Sequence, residues 1–180
     1  MDIAVWIIRP VLFILPAYFA NSVPVVLGGG AAIDGRRKMG DGERVFGDGK
    51  TIRGFFSGVL AGVAVGALEG LLLAGTEWDL YPGAGGAMAY VLAGLLLGLG
   101  TMIGDLAGSF VKRRQGTPRG KPSMLLDQLS FLALALVLSY PIAAHILTLE
   151  AIAFLFVLTY FVHVGANIAA NRLGLKKVPW

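Results

Sequence analysis

Five apolar runs, at about residues 3–28, 54–75, 84–107, 124–147 and 150–170, constrain this chain more than any other feature. Each approaches the roughly 20 residues that an α-helix needs to cross a hydrocarbon core about 30 Å thick. In lipid each backbone N–H and C=O must be satisfied within the fold, and runs of this length do so as helices. The predicted class is therefore all-α: a polytopic integral membrane protein of about five transmembrane helices, forming one domain over residues 1–180. Composition supports this, since 56% of the 180 residues are hydrophobic and only 14% charged, too apolar for an ordinary soluble domain. Cysteine is absent, which excludes disulfides, thiolate zinc sites and thiol nucleophiles. The two histidines, His145 and His163, lie in different runs, which argues against a His-rich metal site. The first run carries Pro10, Pro16 and Pro24, is longer than a signal-peptide core and lacks a basic leader, so it reads as a retained, kinked span.

Charge is distributed unequally between the segments that join the runs. Residues 31–53 hold Arg36, Arg37, Lys38, Arg44, Lys50 and Arg53; residues 108–122 hold Lys112, Arg113, Arg114, Arg119 and Lys121; the tail holds Arg172, Lys176 and Lys177. These are 14 of the 15 basic residues, leaving Arg9 as the one cation on the other side, with Asp2, Glu77, Asp79 and Glu150. The positive-inside rule then puts the N-terminus outside and both basic segments and the C-terminus in the cytoplasm of a cell with a plasma membrane. Five spans satisfy that alternation.

The second run places Gly54, Gly58, Gly62, Gly66 and Gly70 four residues apart, on one stripe of a helix, and the third repeats the spacing at Gly100, Gly104 and Gly108. Missing side chains let neighbouring backbones approach, so dispersion contacts replace the hydrophobic drive that lipid removes.

Ionisable residues inside a span cost several kcal/mol by rough scales unless they face protein, water or a ligand, which makes each one a functional suspect. Asp105, Ser109 and Lys112 share a helical face with Arg113 beside it, at the cytoplasmic end of the third run. Asp127 follows Pro122 and Ser123, in the first turn of a helix leaving the same surface. Two carboxylates at similar depth, joined by a segment with five cations, suit a divalent cation and a polyphosphate. Mg²⁺ takes oxygen ligands, typically one or two carboxylates plus water and phosphate oxygens. The plain alternative is that Asp105 pairs with Lys112 or Arg113 and Asp127 complements a helix N-terminus.

Other polar groups flank this pair. Asn21 and Ser22 precede Pro24, where the amide either satisfies a freed carbonyl or reaches the site. Gly49, Lys50 and Thr51 resemble the end of a phosphate-binding loop, but the first glycine of that pattern falls on Arg44 and no strand precedes it. Asp34-Gly35 lacks the continuation found in membrane CDP-alcohol phosphotransferases. His163, Asn167 and Asn171 form a stripe in the last run, for interhelical hydrogen bonds or a headgroup pocket. Arg9 and Glu69 are expected to snorkel to the outer interface.

Gly104-Asp105, Ser109, Lys112-Arg113 and Asp127 after a basic segment resemble the C-terminal signature of the phosphatidate cytidylyltransferases. The short length, Asn21-Ser22-Val23-Pro24, Asp48-Gly49-Lys50-Thr51-Ile52-Arg53-Gly54 and Asp127-Gln128 are more similar to the archaeal CDP-archaeol synthases, over nearly the whole chain. The chain departs from the former signature in lacking a His-Gly-Gly segment, in Gln128 where Arg is usual, and in Ser130 where an acid is usual for a second metal ion. The resemblance implies Mg²⁺-dependent transfer of a cytidylyl group from CTP to an unsaturated isoprenoid ether-lipid phosphate. It further implies Asp105 and Asp127 as metal ligands, with Lys112 as a further catalytic residue. Asn21, Ser22, Lys50, Thr51, Arg53, Ser109, Arg113, Lys121 and Gln128 are the implied substrate-binding residues. The lipid bilayer is an expected partner, a homodimer is compatible with the sequence, and no nucleic-acid partner is expected. A small transporter or channel component with Asp105 on an ion path is the alternative, as is a non-catalytic assembly protein that docks through its glycine stripes.

Overall fold

The computed structural model describes residues 3–117, 123 and 126–175, without the side chains of residues 3–5 and 128. Five helices follow one another: α1 (Ile3–Leu27), α2 (Ile52–Leu73), α3 (Ala87–Arg114), α4 (Leu126–Ala143) and α5 (Leu149–Arg172). Among the described residues, four of them are long and apolar enough to cross a membrane, and α4 contributes a shorter apolar helix. The protein is a multi-pass integral membrane protein. At 18 residues α4 extends about 27 Å, close to the hydrocarbon thickness.

The expected boundaries shift most in α3. Its helix does not stop near residue 107 but continues to Arg114, so Lys112, Arg113 and Arg114 form its last turn. Cations there are favoured by the negative end of the helix dipole. At 28 residues, about 42 Å, α3 is longer than the hydrocarbon core is thick. α1 runs through Pro10, Pro16 and Pro24 as one helix.

Glycines decide how the helices meet. In α2 the stripe is wedged between two neighbours: Gly58 faces the Ala20 carbonyl of α1 and Met102 of α3, while Gly62 and Gly66 face Gly94, Gly98 and Tyr90 of α3. A Cβ on Gly62 would stand 2.7 Å from the Gly94 carbonyl oxygen and 3.0 Å from the Gly98 Cα. The opposite side of α3 repeats the contact with α4, where Gly100 abuts Ala135 and Gly104 abuts Ser130 and Phe131. α3 is thus the central helix, held on both sides at backbone distance. A core of Phe13, Ile14, Tyr90, Leu97, Phe131, Leu132 and Leu155 fills the space between α1, α3, α4 and α5.

The ends of the bundle differ in chemistry. At one end, Asp79 accepts the Gly75 and Tyr81 backbone N–H groups and the Tyr90 hydroxyl, and those backbone bonds hold its carboxyl below the usual range. Arg9 donates to the Asp79 carbonyl there, and His145 Nε2 donates to the Leu80 carbonyl at 2.7 Å. Glu69 does not snorkel as expected: it is buried in α2, and its Oε1 has no partner among the described residues. Its position on the packed side of α2, one residue before Gly70, turns it inward. Arg9 likewise reaches the α2–α3 connection. The other end collects most of the basic residues.

If backbone-distance packing holds α2 to α3, Gly66→Leu lowers the thermal midpoint of detergent-purified protein by the equivalent of at least about 1–3 kcal/mol. Gly165→Ala on α5, where an added Cβ meets nothing within 4 Å, leaves it unchanged or raised by up to about 1 kcal/mol.

Candidate active site

The C-terminal ends of α1, α3 and α5 and the N-terminal ends of α2 and α4 meet around a polar cavity of roughly 540 Å³. Each wall follows from a local rule. Thr51 starts α2 by accepting the Gly54 N–H on its hydroxyl at 3.0 Å, an N-cap, and the Ala32–Thr51 bridge fixes the approach of the chain. Lys50, one residue earlier, is thereby aimed at α3, where its ammonium donates to both oxygens of Asp105 at 2.7 and 2.6 Å. On α3, Asp105, Ser109, Lys112 and Arg113 line the cavity. Lys112 crosses to α4 and donates to Asp127 Oδ1 at 2.6 Å, while Asp127 Oδ2 accepts the Ser123 backbone N–H at 2.9 Å.

Both carboxylates therefore face one cavity, each with a lysine partner and each with its side chain 34% exposed. Asp105 pairs across to Lys50 rather than with Lys112 or Arg113 of its own helix, while Asp127, in the first turn of α4, takes both Lys112 and the Ser123 backbone N–H. Among the described residues no three His, Cys, Asp or Glu side chains converge, so a metal ion here would have at most two protein carboxylates. That oxygen-only, low-count donor set fits Mg²⁺, which keeps sites open for water and phosphate.

The segment between α1 and α2 forms a further wall through Glu43, Arg44, Phe46, Gly47 and Asp48. Its organiser is Asp34, whose side chain is 1% exposed. Asp34 accepts Arg44 at 2.6 Å and the backbone N–H groups of Arg36, Phe46 and Gly47. Burial alone would raise its pKa. The Arg44 guanidinium and the three N–H donors outweigh burial and hold the carboxyl well below the usual carboxylate range. Arg36 accepts a left-handed backbone, φ 61°, to close this turn. Arg44 bridges on to Asp48 at 2.6 Å. Arg114, at the end of α3, latches the segment: it bonds Asp41 at 2.5 Å and the Arg44 carbonyl at 2.6 Å, and lies over the Phe110 ring.

Of the residues singled out in the sequence, the cavity brings together Asn21, Lys50, Thr51, Asp105, Ser109, Lys112, Arg113 and Asp127. Two are elsewhere. Arg53 is exposed on the first turn of α2, because Thr51, Gly54 and Phe55 are the residues that face inward there. Ser22 donates to the Tyr18 carbonyl and lines a second cavity, one step round α1 from Asn21. Lys121 and the Gln128 side chain lie outside the described residues. The second cavity, roughly 350 Å³, lies between α1 and α5 and is largely apolar. Asn21, His163 and Asn167 line both cavities, and Asn21 Nδ2 lies 3.5 Å from His163 Nδ1. Arg44 and Arg114 were missed as site-forming residues. Nothing in the basic segment itself says which acid each arginine meets.

Asp34 titrates lower folded than unfolded, so its contribution is complete above the ordinary carboxylate pKa of about 3.9 and fades only as pH falls through the lower folded value. Asp34→Asn is expected to loosen the segment by about 1–3 kcal/mol at neutral pH, seen as faster limited proteolysis within residues 35–49. Wild-type protection should persist down to about pH 4. Arg114→Ala should expose the same segment to proteolysis, with partial protection in Arg114→Lys because an ammonium reaches only one of the two acceptors.

Comparison with known proteins places these features in a wider set. The family model described as CarS-like, CDP-archaeol synthase, matches residues 3–180. A CDP-archaeol synthase of Pyrococcus horikoshii is 49% identical over 93% of this chain and 94% of its own length. That of Thermococcus onnurineus is 50% identical over 93% and 94%, and that of Methanococcus aeolicus 40% identical over the whole of both chains. A solved structure, described as structural insight into an intramembrane enzyme for archaeal membrane lipids biosynthesis, superposes with a TM-score of 0.75. It is 39% identical and covers 88% of this chain and 92% of its own.

Proposed function

Since this chain belongs to the CDP-archaeol synthase family of CTP-using nucleotidyltransferases, we propose that it makes CDP-archaeol at the cavity bounded by Asp105 and Asp127. The substrates are CTP and an unsaturated archaeal ether-lipid phosphate, 2,3-di-O-geranylgeranylglyceryl phosphate, and the second product is pyrophosphate. The cofactor is Mg²⁺. Family membership displaces the ion-path alternative.

The observation that carries this reading is the charge on the cavity wall. Among the described residues, four acids, Glu43, Asp48, Asp105 and Asp127, are matched there by four cations, Arg44, Lys50, Lys112 and Arg113. A formally neutral wall does not by itself compensate a triphosphate. It needs an additional cation to enter with the nucleotide, and two carboxylates are present to receive one. Held by Asp105 and Asp127, Mg²⁺ would supply neutralisation of phosphate charge.

The remaining work falls to the protein's own side chains. An oxygen of the lipid phosphate attacks the α-phosphorus of CTP, a new P–O bond forms, and the bond to the β-phosphoryl oxygen breaks, releasing pyrophosphate. The attacking oxygen is already anionic near neutral pH, so no general base is needed. Such a transfer depends on alignment and on electrostatic stabilisation of spread negative charge. In this reading Lys50, Lys112 and Arg113 bind phosphates. The buried Nε of Arg113 has no partner among the described residues. Ser109 and Asn21 orient the ligands, and Asn21 stands where the polar cavity meets the apolar one. That apolar cavity between α1 and α5 gives an isoprenoid chain a place beside the nucleotide while it remains in the bilayer. The cavity lies at the end carrying most of the basic residues, so the site faces the cytoplasm of the plasma membrane.

Purified protein given Mg²⁺, CTP and the ether-lipid phosphate should release pyrophosphate and form a CDP-lipid, and should prefer CTP to ATP, GTP and UTP. Asp105→Asn should reduce turnover by at least about 100-fold without lowering the thermal midpoint, the scale of removing one preorganised electrostatic partner. Full activity in that variant would overturn the assignment.

A further inference from the structure

Lys50 and Lys112 do more in this structure than stand near a phosphate site. Lys50 occupies both oxygens of Asp105, and the two oxygens of Asp127 are taken by Lys112 and by the Ser123 backbone N–H. All four oxygens of the two carboxylates already have donors. A divalent cation arriving alone would have to approach carboxylates whose charge is compensated by ammonium groups 2.6–2.7 Å away, against the repulsion of like charge. A nucleotide changes that balance. Both ammonium groups belong to side chains lining the same cavity, and a lysine stem with four rotatable bonds can carry its charge from a carboxylate to a phosphate oxygen.

Resting on the function proposed above, we infer that Lys50 and Lys112 are resident counter-cations which keep Asp105 and Asp127 closed to divalent ions until nucleotide phosphates draw the lysines away. Metal and nucleotide then bind with positive coupling, and each raises the affinity of the other by the same factor, because coupling between two binding sites is reciprocal. A bare divalent ion does not fill the site, and a free triphosphate meets carboxylates that remain neutralised until a metal replaces the lysines. The main cost of either ligand binding alone is a charge left without its partner. When both bind, each charge has a partner again.

The test reads metal binding rather than turnover. Mn²⁺ binding to detergent-purified protein without nucleotide is measured by the loss of the free-ion electron paramagnetic resonance signal, for wild type, Lys50→Gln, Lys50→Arg, Lys112→Gln and the double variant Lys50→Gln/Asp105→Asn. Lys50→Gln and Lys112→Gln should each bind Mn²⁺ about 5- to 100-fold more tightly than wild type, the range of ordinary coupling between sites. Lys50→Arg, which keeps the charge, should stay as weak as wild type, and the double variant should lose the gain. If Lys50→Gln and Lys112→Gln, folded by thermal melt, bind Mn²⁺ no better than wild type, or if the double variant keeps the gain, the inference fails. Lys112→Gln decides the matter if Lys50→Gln does not fold. Failure here with CTP turnover intact would leave the proposed reaction standing. A gain in Mn²⁺ affinity in a protein that does not use CTP would instead reject the reaction.

Discussion

In a bilayer, helices gain nothing from hiding apolar surface from one another, because lipid chains are equally apolar. Association then depends on how closely backbones can approach, and in this protein glycine sets that distance on both sides of α3. Gly62 and Gly66 lie against Gly94 and Gly98, and Gly100 and Gly104 lie against α4. The same contacts position the site. With α2 drawn against α3, Lys50 at the entrance to α2 reaches Asp105; with α4 drawn against α3, Lys112 reaches Asp127. A larger residue in either seam would move one member of each ion pair relative to the other.

Among the described residues the cavity that results has balanced charge, with acids and bases interleaved on the α1–α2 segment, α3 and α4 rather than gathered into a positive patch. Such a wall pairs Asp105, Asp127 and Asp48 with cations near the hydrocarbon region, where an unpaired ion is expensive. It also makes selectivity a matter of exchange: an anionic ligand enters by taking cations from carboxylates, and the carboxylates then require a new cation. The Asp34–Arg44–Asp48 chain follows the same logic in the α1–α2 segment, where buried charge is tied to one carboxylate by five hydrogen bonds, two from Arg44 and three from backbone N–H groups. Rigidity in that wall comes from Asp34 and from the Arg114 latch, not from regular secondary structure.

The two ends of the bundle show how differently polar groups are handled by depth and neighbour. Asp79 at one end is fully engaged by backbone donors and by Tyr90, and it ties the α2–α3 connection to the core. Asp105 and Asp127 at the other end are one-third exposed; among the described residues Asp105 is bonded to Lys50 alone and Asp127 to Lys112 and one backbone N–H, and the lysines can move. A carboxylate held by backbone N–H groups is a structural fixture; one held by a flexible ammonium can change partner.

The apolar runs alone determined that this chain forms helices of membrane-spanning length, since backbone groups in lipid must bond within the helix. Local spacing also made Asp105 with Ser109 and Lys112 legible, and showed that the glycines of α2 would be packed, because residues three and four apart share a helical face. Spacing within one helix carries no information on partners from another. The pairing of Lys50 with Asp105 and of Lys112 with Asp127, the inward turn of Glu69 and the exposure of Arg53 were therefore decided by tertiary structure. So was the use of Arg44 and Arg114, which in sequence look the same as basic residues that merely set orientation. The physical reason is that an ion pair is fixed by the distance between two helices, and that distance depends on which glycines meet, a property of the packed bundle and not of any single segment.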